Sequence, residues 1–143
     1  MLKTVANQID SGTFVPTIEG ATVPGAQTYV VQAGFWTRIG NRVFYNLRIV
    51  LATKDVLMAG AVVIKGLPFL PLAAASNNSA AAVSNVGFID LSAGYSQLTA
   101  HMESIGSEIY LNQLGDNIAA SYIDSAAIQA NTRFVISGNY VVA

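Results

Sequence analysis

The segment that most narrows what this chain can fold into is Phe35-Trp36-Thr37-Arg38-Ile39-Gly40-Asn41-Arg42-Val43-Phe44. Runs of β-branched and aromatic residues flank Gly40-Asn41, a pair that tolerates positive φ. The segment therefore predicts a β-hairpin closed by a tight primed turn. Its arms extend over about 29–39 and 43–52. In the second arm Val43, Tyr45, Leu47, Ile49 and Leu51 alternate onto one face, the pattern of a core-facing strand. Phe44, Asn46, Arg48 and Val50 face the other way, a mixed face that suits contact with a neighbouring sheet or subunit.

The rest of the chain reads as more short strands. One is expected over 13–18, where Pro16 forces an edge or bulge because proline cannot donate to a ladder. Others are expected over 59–64, 83–91, 97–103, 108–114 and 132–142. They are punctuated by Lys54-Asp55, Gly66-Leu67-Pro68, Ser92-Ala93-Gly94, Ser104-Ile105-Gly106 and Gly115-Asp116-Asn117. The polar Ser76-Asn77-Asn78-Ser79 makes 73–82 a surface loop rather than an alanine helix. Strands at such spacing predict an all-β protein, an antiparallel β-sandwich of jelly-roll-like type. Residues 1–12, with few anchors and a Ser11-Gly12 end, read as an N-terminal arm leading into a single sandwich domain over 13–143.

Composition adds one strong constraint. Hydrophobic residues make up 52% of the 143 residues and charged ones 10%, where an ordinary soluble domain carries roughly 25% charged. A single domain of this size exposes too much surface to hide that much apolar side chain. Part of it is expected to lie against other copies or a larger assembly. Seven basic residues and a net charge of −1 argue against nucleic acid as a partner, since phosphate neutralisation needs Lys and Arg. The absence of cysteine removes disulfides and thiolate metal sites and suits assembly in a reducing cytoplasm. A single His makes a metal site unexpected, and no cofactor motif is present. The uncharged run 66–89 contains Pro68, Pro71 and an amide cluster that lipid would leave unsatisfied, so no membrane span is expected.

Few side chains invite chemistry. Glu103 and Glu108 flank a turn and raise the idea of a glycosidase carboxylate pair; as charges that keep sheet edges apart they need no such role. Asp90, Asp116 and Asp124 sit where turn and cap acceptors are wanted. His101 alternates with apolar neighbours and has no second His or Cys, which marks a structural or interface histidine. Arg38, Arg42, Arg48 and Lys54 gather four of the seven basic residues in and just after the hairpin, and arginine forks suit intersubunit carboxylates. Phe35, Trp36, Tyr29 and Tyr45 form a potential sugar-stacking set, more simply read as core or interface anchors.

Taken together, Thr13-Phe14-Val15-Pro16-Thr17, the 35–44 hairpin, Gly66-Leu67-Pro68-Phe69 and a closing β segment over 132–141 with the late Tyr140 resemble a β-sandwich domain of tailed-bacteriophage virion proteins. That domain occurs in capsid decoration proteins and in tail fibres and tailspikes. Leu47 stands where relatives often carry glycine, and Phe35-Trp36 is bulkier than the usual pair, which touches ligand carry-over and not the fold.

The resemblance implies a non-enzymatic virion structural protein. The short lead-in before the sandwich favours a capsid decoration (cement) protein over a long-shafted fibre. Such a protein is expected to be a homotrimer on the phage head, binding the major capsid protein and stabilising the shell multivalently. Lys3, Arg38, Arg42, Arg48 and Trp36 are the expected subunit or capsid contacts. The alternative is a tail fibre or receptor-binding tip that recognises a host surface polysaccharide.

Overall fold

The computed structural model describes residues 9–74, 78–103 and 106–143. Ten strands run in chain order: β1 Ile9–Phe14, β2 Thr17–Gly20, β3 Thr28–Ile39, β4 Arg42–Thr53, β5 Val62–Lys65, β6 Ser79–Ile89, β7 Tyr95–Met102, β8 Ile109–Gly115, β9 Ile118–Tyr122 and β10 Ile128–Val141. A 3-10 turn, Ser125–Ala127, precedes β10; the Asp124 carboxylate caps it by accepting from the Ala126 amide. All the strand pairings are antiparallel. The all-β antiparallel expectation holds.

The sandwich is made by one sheet curled on itself rather than by two separate sheets. Strand order is β1-β3-β4-β10-β6-β7-β8-β5-β2, with β9 sharing the free edge of β8 beside β5. The two ends of this path, β1 and β2, are consecutive in the chain and joined by Val15-Pro16 alone. Covalent continuity therefore brings the two edges of the sheet together and curls it around a core. Gly66 makes room for that corner: its φ is +102°, and a Cβ there would lie 2.3 Å from the Val15 carbonyl oxygen.

The hairpin forms as its residues dictate. Ile39 pairs with Arg42 across a two-residue turn. Gly40 takes a positive φ of 60° and Asn41 does not, so the turn has the single left-handed residue of a II′ turn. The alternation in β4 is realised fully, with Val43, Tyr45, Leu47, Ile49 and Leu51 all buried. They meet Phe134, Ile136 and Tyr140 from β10, Met102 from β7, Ile109 and Leu111 from β8, Ile64 from β5 and Ile18 from β2. Burying each such side chain contributes about 1.5–3 kcal/mol.

Four boundaries differ from the sequence expectation, each for a tertiary reason. The expected 13–18 strand is two strands broken at Val15-Pro16, because the proline sits at the sheet corner. Residues 9–12 of the expected arm belong to β1, held by the ladder Ile9 to Ile39 through Gly12 to Trp36; residues 1–8, including Lys3, lie outside the described residues. The expected 73–82 loop gives way to strand at Ser79, where β6 meets Met102, with 75–77 outside the described residues. The strand β9 was not anticipated, since Ile118-Ala119-Ala120-Ser121-Tyr122 is short and alanine-rich and gains its ladder only from β8.

Candidate functional site

The outer surface of the curled sheet carries two faces of different chemistry. On the β1-β3-β4-β10 side, the residues facing away from the core include Phe35, Ile39 and Phe44, with exposures of 52%, 46% and 42%. Thr37 pairs with Phe44 and Ile9 with Ile39, so this apolar surface runs across β1, β3 and β4, with Asn139 of β10 beside Phe44 at its border. Arg42 and Arg48 are exposed on the same face. Arg42 donates from Nη1 to Asn139 Oδ1 at 2.5 Å, and Arg48 stands between Ala33 and Val135.

Among the described residues, Arg38 and Trp36 lie apart from Arg42 and Arg48. Arg38 and Trp36 converge instead on Phe69: the Trp36 ring meets it edge-on at 4.8 Å, and the Arg38 guanidinium lies 5.3 Å from its centroid while Nε donates to the Gly40 carbonyl. Among the other aromatics, Tyr45 is buried, and the Tyr29 hydroxyl accepts from the Ile18 amide. Of that set Phe35 is the one that is more than half exposed.

The second face, on β2, β5, β7, β8 and β9, holds the densest polar chemistry among the described residues. Because Ile109, Leu111 and Gln113 point inward from β8, Tyr110 and Asn112 point outward. Register then sets His101 of β7 opposite Tyr110 and Tyr122 of β9 opposite Asn112. The three rings cluster: His101 to Tyr110 at 5.8 Å and 24°, His101 to Tyr122 at 6.1 Å and 19°, Tyr110 to Tyr122 at 5.1 Å and 42°. Beneath them Val63, paired with Tyr110, is fully buried although it faces outward.

Carboxylates orient each ring. The Tyr122 hydroxyl donates to Glu103 Oε1 at 2.8 Å, and the Tyr110 hydroxyl to Glu108 Oε2 at 3.1 Å. Asn112 Nδ2 lies 2.5 Å from His101 Nδ1. With the amide nitrogen facing it, Nδ1 is the acceptor and the ring proton sits on Nε2, which lies 3.5 Å from Glu103 Oε1. Lys65 Nζ bridges Glu19 at 3.2 Å and Glu108 at 3.3 Å, and Thr17 Oγ1 donates to Glu19. Burial, then the hydrogen bond to Glu108, pushes Tyr110 up to about 12. The hydrogen bond to Glu103 is the main cause that raises Tyr122. Hydrogen bonding to Glu19 is the main cause that raises Lys65. Tyrosine is already neutral and lysine already charged at pH 7, and these shifts extend both states to higher pH.

A shallow concavity of about 410 Å³ opens beside the rings, lined by His101, Asn112, Ala120, Ser121 and Tyr122. On the inner face of the same strands Gln113 donates to Ser92 Oγ and Ser121 Oγ while accepting from the Ser92 amide, which ties β9 to β8. Sequence reasoning singled out Glu103, Glu108 and His101 but not their tyrosine partners. The parity of Glu108-Tyr110-Asn112 along β8 was the available signal. Glu103 and Glu108 sit with different rings and share no partner, the first with Tyr122 and His101 and the second with Tyr110 and Lys65. No group of three or more His, Asp or Glu arranged to hold a metal occurs among the described residues, and no helix there is long and apolar enough to cross a membrane.

No protein-family model and no curated protein sequence matches the chain. In fold it is similar to the crystal structure of Dettilon tailspike protein (gp208), with a TM-score of 0.77 and 18% sequence identity. The match covers 93% of this chain and 24% of the tailspike, so the chain spans about a quarter of that protein's length. At this identity the likeness is one of fold.

Proposed function

We propose that this chain is a non-enzymatic structural domain of a tailed-phage virion. The observation that carries the reading is the fold likeness to a tailspike along 93% of the chain, which joins the motif resemblance of the hairpin and Gly66-Leu67-Pro68-Phe69. Copies of the domain pack around a shared axis as a homotrimer, through the apolar face of β1, β3 and β4. That role accounts for a chain that is 52% hydrophobic and 10% charged and for Phe35, Ile39 and Phe44 facing outward. A non-enzymatic role is supported by Glu103 and Glu108, whose hydrogen bonds and ion pairs orient tyrosines and a lysine.

The tailspike likeness favours a place on the tail, in a spike or fibre that touches the host surface polysaccharide. The decoration reading keeps a specific support of its own, the exposed Arg42 and Arg48. A trimer carrying three such pairs would bridge several capsid subunits and bind the assembled shell in preference to its parts. Gold-labelled antibody against this chain on purified virions separates the two. Label at the tail end is the expected result, label spread over the head assigns the decoration role, and virions without label overturn the reading altogether.

A further inference from the structure

We infer that the platform formed by His101, Tyr110 and Tyr122 is a carbohydrate site for a neutral pyranose. The first argument is geometric. A ring sandwiched between two others holds its neighbours at least about 7 Å apart, two contact separations of roughly 3.5 Å. The three centroid distances are 5.1, 5.8 and 6.1 Å, all too short, so none of the rings is sandwiched and each keeps a face off the stack. Tyr122 is 48% exposed. The exposed Tyr122 ring offers the negative face of its quadrupole, which attracts the weakly positive C–H groups along one face of a pyranose.

The second argument is the rim. Hydroxyl groups of a sugar need acceptors and donors at close range. Here Glu103 and Glu108 offer carboxylate oxygens, and the adjoining concavity is lined by the Asn112 amide. Apolar faces with a few oriented polar groups are the usual make-up of a small-molecule site. The rings are held by their own hydrogen bonds on β-strands, so binding costs little ordering entropy.

The third argument is charge, and it selects the ligand. Glu19, Glu103 and Glu108 surround the platform against the single Lys65. Three carboxylates beside one ammonium repel uronic and sialic acids, which leaves uncharged hexoses and N-acetylhexosamines.

This assignment deepens the tail-borne reading and rests on it for its biological target, but its test is independent of virion position. The full chain is titrated against dextran, mannan, galactan and chitin oligosaccharides as neutral probes, and against polygalacturonate and polysialic acid as anionic ones. Binding to at least one neutral probe and to neither anionic probe is expected. Tyr122→Ala should weaken it by roughly tenfold, Tyr122→Phe by less because the ring remains, and Val56→Ala, at an exposed position outside the platform, not at all. Thermal melts of each variant confirm an intact fold. Absence of binding to every neutral probe, equal binding to the anionic ones, or unchanged binding by Tyr122→Ala overturns the assignment. Tail-end gold label with no sugar binding would sink this site alone, while head label would sink the tail position alone.

Discussion

Raising the pH beyond the ordinary tyrosine range is expected to unfold this protein through two hydroxyls that scarcely touch water. Tyr45 and Tyr140 are 4% and 1% exposed, and their rings lie 6.0 Å apart in the core between β4 and β10. Burial is the main cause that pushes both up from 10.0, Tyr140 to about 12; the Tyr140 hydroxyl donates to the Phe69 carbonyl. Both folded values exceed the unfolded ones. Stability from these groups is therefore complete below pH 10 and falls as pH rises toward 12, because the unfolded chain releases protons that the folded chain retains. Two pH units at about 1.4 kcal/mol each make roughly 2.7 kcal/mol for Tyr140. A similar contribution from Tyr45 brings the loss to the order of 5 kcal/mol, a large part of the 5–15 kcal/mol that stabilises a typical domain. Urea unfolding at a series of alkaline pH values gives the slope, and near-ultraviolet tyrosinate absorbance reports which hydroxyls ionise. The reasoning is refuted if all six tyrosines titrate as one set near pH 10 while the sheet stays folded.

Other perturbations test different links. Leu47→Ala removes a side chain that is 1% exposed at the centre of the core and should cost about 2–5 kcal/mol, read from the denaturation midpoint. Gly66→Ala forces a left-handed residue at φ +102° and sets its Cβ against the Val15 carbonyl. It is expected to cost at least about 1–3 kcal/mol and to loosen the β1–β2 corner first, visible as faster amide exchange in those two strands. Phe44→Asp, on the outward face, should leave the melting curve of the monomer unchanged and dissociate the proposed trimer in light scattering; an unaltered mass would rule that face out as the contact.

The legible part of this molecule was the part governed by local pattern. Alternation along β4 named its five core residues correctly, and Gly40-Asn41 located the hairpin turn, because period-two burial and turn conformation are properties of neighbouring residues. The parity of Glu108-Tyr110-Asn112 was equally readable. Its meaning was hidden, because the meeting of Tyr110 with His101 and of Asn112 with Tyr122 depends on the register of β8 against two other strands. One of those, β9, has too little β propensity to announce itself.

What the sequence determined alone is an antiparallel all-β chain with too little charge for its size and a strongly specified central hairpin. Tertiary structure decided the rest. It drew β1 and β2, the two ends of one sheet, together through Val15-Pro16, so the sheet curls into a sandwich instead of splitting in two. It also turned scattered polar residues of five strands into one ring-and-carboxylate surface. Both outcomes follow from long-range hydrogen-bond register, which is set by summing contacts over the whole sheet and is written in no single segment.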